Sequence, residues 1–232
     1  VTPDTYFRLA SASKAFTAAS VAVLVDEGKL NWDDKVIDHL PEFRLKDAWV
    51  TAEFTIRDLL SHRSGLIGGA GDSMLWPEPT KFSRAEVIHN LRYLTPEHSF
   101  RSNYGYSNVL YITAGELVAK ISGRPWQDFV AERIFAPLGM NCFAGDVPVQ
   151  AISGSAIPYG YDQQQGFYPI TRNAISTEGL MSAAAGGIVC SAADMAKWLQ
   201  ALLLLSTGEP LATTLPFSTA QLKAMWAPET LM

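Results

Sequence analysis

The 232 residues are 48% apolar and carry 18 Lys and Arg against 23 Asp and Glu, enough hydrophobic material for a full core in one large or two small domains and too much for a disordered chain. The net charge of −5 is of mixed sign throughout, with no basic stripe to follow a phosphate backbone, so nucleic acid is not an expected partner. The apolar runs SVAVLV and LQALLLL are far shorter than the roughly 18 residues of a membrane span and read as buried helix faces.

In chain order, Ala15, Phe16, Ala19, Val23 and Leu24 recur at helical spacing in a segment that starts at or beside Ser11, and Gly28 supplies the stop. TIRDLLSHRSG offers Thr55 as an N-cap with Asp58 three residues on, and SRAEVIHNLRYL repeats the pattern with Ser83 and Glu86. YSNVLYITAGELVAKISG is amphipathic over four turns and ends at Gly123, after which Pro125 can open another helix through WQDFVAERIF. Residues 143–175 turn to Gly, Pro, Gln and aromatic side chains, which predicts a long loop or short strands that wall a pocket. SAADMAKWLQALLLL restarts a helix, with Ser191 as cap and Asp194 closing a capping box. Strand signals are few: a sheet has to come from short segments in residues 1–9 and 186–190, or from further polypeptide.

Cys142 and Cys190 lack the CxxC spacing of a zinc site and are too few for a disulfide framework, so they read as two buried thiols. His39, His62, His89 and His98 form neither an HExxH motif nor an i,i+4 pair. No metal or other cofactor is therefore expected.

Two short motifs can carry chemistry. Ser11 and Lys14 lie one helical turn apart and project from one face, so an ammonium can reach the hydroxyl. A Ser hydroxyl attacks poorly unless a neighbour removes its proton, and a Lys in a desolvated cleft can be that neighbour because burial lowers its pKa. Ser11 is equally a good helix cap. The second motif is Tyr106-Ser107-Asn108 ahead of a helix, where alternate residues share a face and a phenol and an amide can point into one cleft. A phenol ionises near pH 10, so acting as a base at pH 7 takes about 4 kcal/mol of help from cations such as Lys14. The bland alternative makes Tyr106 a core aromatic and Asn108 a helix cap.

Together the motifs resemble the serine β-lactamase and penicillin-binding-protein superfamily, with its Ser-x-x-Lys and, in one branch, Tyr-x-Asn signatures. FRLASASKAFTA, LVDEGKLNWDDKV, LPEF, TIRDLLSHRSGL, YGYSNVLYITAGELVAKISGRPW, IFAPLGM and AAGGIVCSAADMAKWL are similar to that family in the same order, over nearly the whole chain. They resemble the branch of class C β-lactamases, D-stereospecific peptidases and family VIII carboxylesterases more than they resemble class A enzymes.

The resemblance implies an α+β, β-lactamase/transpeptidase-like fold in one catalytic domain over residues 1–232, with a helical subdomain at about 33–185. It makes Ser11 the nucleophile, Lys14 its proton partner, Tyr106 the general base or acid, Asn108 a contact to a substrate amide or to Lys14, and Ser107 a further substrate contact. His62 and Ser64 are read as loop-fixing groups, and Gly186 and Gly187 as places where backbones pass closely.

The family's third motif, a Lys or His two residues before a Gly on a strand edging the cleft, is expected downstream of Trp226, and the chain stops at Met232. The antiparallel sheet is therefore expected to be incomplete, with a truncated chain, a chain cut in two or further residues as the alternatives, and a second polypeptide segment as a partner that supplies the motif. A periplasmic or secreted location is what the resemblance implies. The implied activity is a serine hydrolase working through an acyl-enzyme on an ester, D-amino peptide or β-lactam, with esterase or peptidase ahead of dedicated β-lactamase. Its rivals are a penicillin-recognising sensor acylated without turnover and a Ser-His-Asp lipase, although no Gly-x-Ser-x-Gly elbow occurs.

Overall fold

A computed structural model describes residues 1–77, 79–145, 152–170, 180–208 and 215–230. Strand β1 (Tyr6–Arg8) leads through a 3-10 turn, Ala10–Ser13, into helix α1 (Lys14–Asp26). Phe16, Val21, Ala22, Val23 and Leu24 are fully buried on several faces of α1, which makes it the central helix rather than an amphipathic surface one. Around it come α2 (Val36–His39), α3 (Ala48–Glu53), α4 (Ile56–Leu60), α5 (Arg84–Asn90), α6 (Asn108–Ser122) and α7 (Trp126–Val130), the last continuing as a π turn over Ala131–Phe135. Strand β2 (Phe143–Ala144) and the hairpin of β3 (Tyr159–Asp162) with β4 (Gly166–Pro169) follow. The chain then runs through α8 (Ala183–Gly186), β5 (Ile188–Ser191), α9 (Ala192–Thr207) and α10 (Thr219–Trp226).

The helix ends obey the local chemistry of the sequence. Thr55 with Asp58 and Ser83 with Glu86 form complete capping boxes at α4 and α5, and Gly123, at φ 72°, closes α6 in the left-handed conformation. At α9 only half of the expected box forms. The Ser191 hydroxyl accepts the Asp194 N–H, while the Asp194 carboxylate takes the Ser191 hydroxyl at 2.9 Å and the Lys197 ammonium at 2.8 Å. The LQALLLL run also departs from expectation: α9 packs by one face, so Trp198 and Ala201 are buried while Leu199 and Leu203 stand 54% and 62% exposed.

Helix α1 packs against α6, α8 and α10, and one continuous apolar core extends from Phe16 to Leu222. The close approach of α6 to α8 depends on Gly115, where an added Cβ would lie 2.5 Å from that of Ala184. A three-stranded antiparallel sheet in the order β1-β5-β2 stands at the start of α1, with Phe7 opposite Cys190 and Phe143 opposite Val189. Two of its strands come from residues 1–9 and 186–190 as anticipated, and the architecture is α+β.

Residues 143–175 resolve into β2 and the β3–β4 hairpin, except that 146–151 and 171–175 lie outside the described residues. The hairpin presents Tyr159, Tyr161 and Phe167 to solvent. The reading of two free thiols is corrected. Pairing Phe143 with Val189 brings the next residues along, Cys142 and Cys190, to a Cα separation of 4.7 Å, and they form a disulfide.

Candidate active site

Ser11 sits in the 3-10 turn that opens α1, directly after Ala10, whose φ of 46° is left-handed for a non-glycine residue. One turn on, Lys14 is only 7% exposed. Its ammonium has three protons to give, and Nζ finds the Asn108 Oδ1 at 2.8 Å, the Ala185 carbonyl at 2.7 Å and the Ser11 Oγ at 3.4 Å. Nζ also lies 4.6 Å from the centre of the Tyr106 ring and 5.3 Å from that of Tyr111. Burial pulls the Lys14 pKa below that of an ordinary lysine, and the neighbouring Tyr106 and Asp72 offset part of this.

Tyr106 arrives from the turn before α6 and sets its Oη 2.5 Å from the Ser11 Oγ. Gly105 is required just before it, because a side chain there would run into the Leu66 carbonyl. Asn108, the first residue of α6, holds Lys14 through Oδ1 and gives Nδ2 to both carboxylate oxygens of Asp72, at 3.0 and 3.2 Å. Burial raises the Asp72 pKa, against the opposing pull of Asn108 and Lys14. The two motifs therefore converge: one hydroxyl touches a phenol and an ammonium, and the amide of Asn108 links that ammonium to a carboxylate.

Ser107 does not join them. Its side chain is fully buried and accepts the Leu110 N–H at 3.3 Å, so it caps α6 instead of facing the cleft, which corrects the expectation of a substrate contact. Ser64 is buried and accepts the Leu66 N–H at 3.2 Å. His62 accepts the Ser107 N–H through Nδ1 at 3.1 Å, and burial together with the nearby Lys14 lowers its pKa to about 4. Gly186 passes beside Ala10, where an added Cβ would lie 3.6 Å from the Ala10 carbonyl carbon. At Gly187 an added Cβ would come within 2.6 Å of the Ala183 Cα. The α8–β5 backbone lies along α1 and the 3-10 turn before it, with the Thr17 hydroxyl donating to the Ala184 carbonyl at 2.7 Å and the Ile188 N–H to the Ser13 hydroxyl at 3.0 Å.

Sequence reasoning missed Asp72, Tyr111 and the Ala185 carbonyl. Asp72 carried a local signal, since it follows glycines whose φ values of 78° and 86° at Gly69 and Gly71 mark a tight turn, but its partner lies 36 residues away. A backbone carbonyl leaves no mark in a sequence.

The chain has similar relatives among known proteins. An unguisins hydrolase from Aspergillus campestris is 33% identical over 218 residues, which are 88% of this chain and 39% of the relative. The crystal structure of D-amino acid amidase from Ochrobactrum anthropi complexed with L-phenylalanine amide superposes with a TM-score of 0.73 at 28% identity, covering 96% of this chain and 60% of that one. A class C beta lactamase from Rhodobacter sphaeroides gives 0.72 at 27% identity, over 97% and 57% of the two chains. The chain thus spans between 39% and 60% of the length of these relatives. The family model described as beta-lactamase matches residues 1–229, and the chain belongs to that family.

Proposed function

We propose that the protein is a serine hydrolase that acylates Ser11 with an ester, an amide of a D-amino peptide or a β-lactam and releases the acyl group to water. The observation that carries this reading is the Ser11 Oγ held 2.5 Å from the Tyr106 Oη and 3.4 Å from the Lys14 Nζ. The lowered pKa of the buried Lys14 eases loss of one ammonium proton, and as Oγ bonds to the substrate carbonyl carbon its own proton then passes to the Lys14–Tyr106 pair. When the tetrahedral intermediate collapses, Tyr106 returns a proton to the departing nitrogen or oxygen. Water then attacks the Ser11 ester, gives its proton to the same pair and regenerates the hydroxyl. Asn108 positions Lys14.

Full activity in this reading needs a second oxyanion donor from the family's third motif, on polypeptide outside residues 1–232, since a single missing donor costs about 3 kcal/mol in barrier. Esters and D-amino peptides are placed ahead of β-lactams. The D-amino acid amidase among the relatives supports an amide as one substrate class, and the class C beta lactamase supports a β-lactam as another.

The test is intact-mass and steady-state measurement with a chromogenic ester, a D-amino acid amide and a cephalosporin. An acyl adduct on the Ser11 peptide and sustained product release are expected, and Ser11→Ala is expected to abolish both. Unchanged hydrolysis in Ser11→Ala overturns the assignment. Stoichiometric labelling without turnover instead identifies a penicillin-recognising sensor.

A further inference from the structure

Tyr106 must place one oxygen on the Ser11 hydroxyl, yet it rides on a loop segment ahead of α6, where backbone is ordinarily freer than in a helix or sheet. Its backbone is pinned at three successive residues. The Gly105 N–H donates to the His62 carbonyl at 2.8 Å, the Tyr106 carbonyl accepts the Gly69 N–H at 2.8 Å, and the Ser107 N–H donates to the His62 Nδ1 at 3.1 Å. Two of these three pins belong to one residue, and they flank Tyr106 on both sides. The His62 ring adds a third constraint: its centre is 4.7 Å from that of Tyr106, with Tyr111 at 5.3 Å and Tyr104 at 5.5 Å around it. The bracket requires an unusual backbone, and His62 has a φ of 57°. A non-glycine residue held in the left-handed region is a local cost that the surrounding contacts must offset.

We infer that His62 is the positioning residue for Tyr106, acting as a neutral imidazole whose Nδ1 is a hydrogen-bond acceptor and whose single proton is on Nε2. The inference rests on the proposed role of Tyr106 at Ser11. An Nδ1 that accepts a backbone N–H cannot carry a proton, so the bracket itself fixes the tautomer. Nothing in this role requires His62 to touch the substrate. It acts through where the Tyr106 Oη stands, and displacement of such a group by about 1 Å costs on the order of a hundredfold in rate.

The experiment compares the rate of Ser11 acylation by a fluorescent penicillin or an activated ester, at saturating and limiting reagent, in the wild type, His62→Asn and His62→Leu, with thermal melts of each. Asn tolerates a left-handed φ, and its side-chain oxygen can accept the Ser107 N–H. His62→Asn is therefore expected within about fivefold of wild type, and His62→Leu about 30- to 100-fold slower at saturation, with the reagent concentration at half-maximal rate little changed. Nitrogen NMR of the wild-type imidazole, which needs no variant, should show an unprotonated Nδ1 at pH 7. A folded His62→Leu as fast as wild type overturns the inference. So does a proton on Nδ1, or equal slowing in folded His62→Asn and His62→Leu. If wild type itself acquires no adduct on Ser11, the proposed function has failed, an outcome separate from the three just named.

Discussion

Lys14 shows how a single side chain acquires a function from its surroundings. An exposed lysine stays charged to about pH 10, whereas this one is desolvated and divides its donors among Asn108, Ala185 and Ser11. The orientation of the Asn108 amide is set in turn by Asp72, which takes Nδ2 and leaves Oδ1 for the ammonium. Replacing Asp72 by Ala should let that amide rotate and lower kcat/KM for an ester about 10- to 100-fold. Asp72→Asn keeps an acceptor for Nδ2 and removes only the negative charge that raises the Lys14 pKa. Its rate should fall less, and the acid limb of its pH–rate profile should move to lower pH. Identical losses and identical profiles in the two variants would exclude this linkage. At this scale the sequence was partly legible. The spacing of Ser11 and Lys14 is local and survives in any helix, whereas the approach of Tyr106, 95 residues away, came from a family resemblance, and Asp72 had no such guide.

At the scale of elements, the position of the Ala185 carbonyl depends on how α8 rests on α6 and α1. Gly115 permits that contact. Gly115→Val should push the helices apart, cost about 1–3 kcal/mol from overpacking and slow Ser11 acylation as the carbonyl leaves Lys14. A denaturant titration together with a labelling time course checks both effects, and an unchanged labelling rate in a destabilised variant would detach α8 from the site. The helices legible beforehand had a signal at an end, as with Thr55 and Asp58, Ser83 and Glu86, and Gly123, or a sustained apolar period, as in α1. Helix α2 has four residues and no side-chain cap, and β2 only two residues, so neither left a pattern long enough to read. The outward Leu199 and Leu203 of α9 belong to the same lesson, since a run of leucines does not tell which of its faces meets the core.

Taken whole, the molecule encloses an imidazole near its cleft, and that makes stability depend on pH. His62, facing Lys14, Tyr104, Tyr106 and Tyr111, has a pKa of about 4 in the folded chain, against about 6.5 when unfolded. Between these values the unfolded chain binds more protons, so the stabilising effect of a neutral His62 is complete above about pH 6.5 and lost as the pH falls toward 4. The urea midpoint should drop between pH 7 and pH 5, and His62→Asn should flatten that dependence; an equal slope in the variant would place its origin elsewhere. The Cys142–Cys190 bond has a mechanical consequence of its own. It staples the residue just before the short β2 to Cys190 of β5, in the strand that follows the Ala185 carbonyl, across a sequence separation of 48 residues. Dithiothreitol in a buffer would cut that staple and leave the lysine's cradle hung from a looser frame. Rates recorded with and without the reductant thus belong to two differently braced molecules.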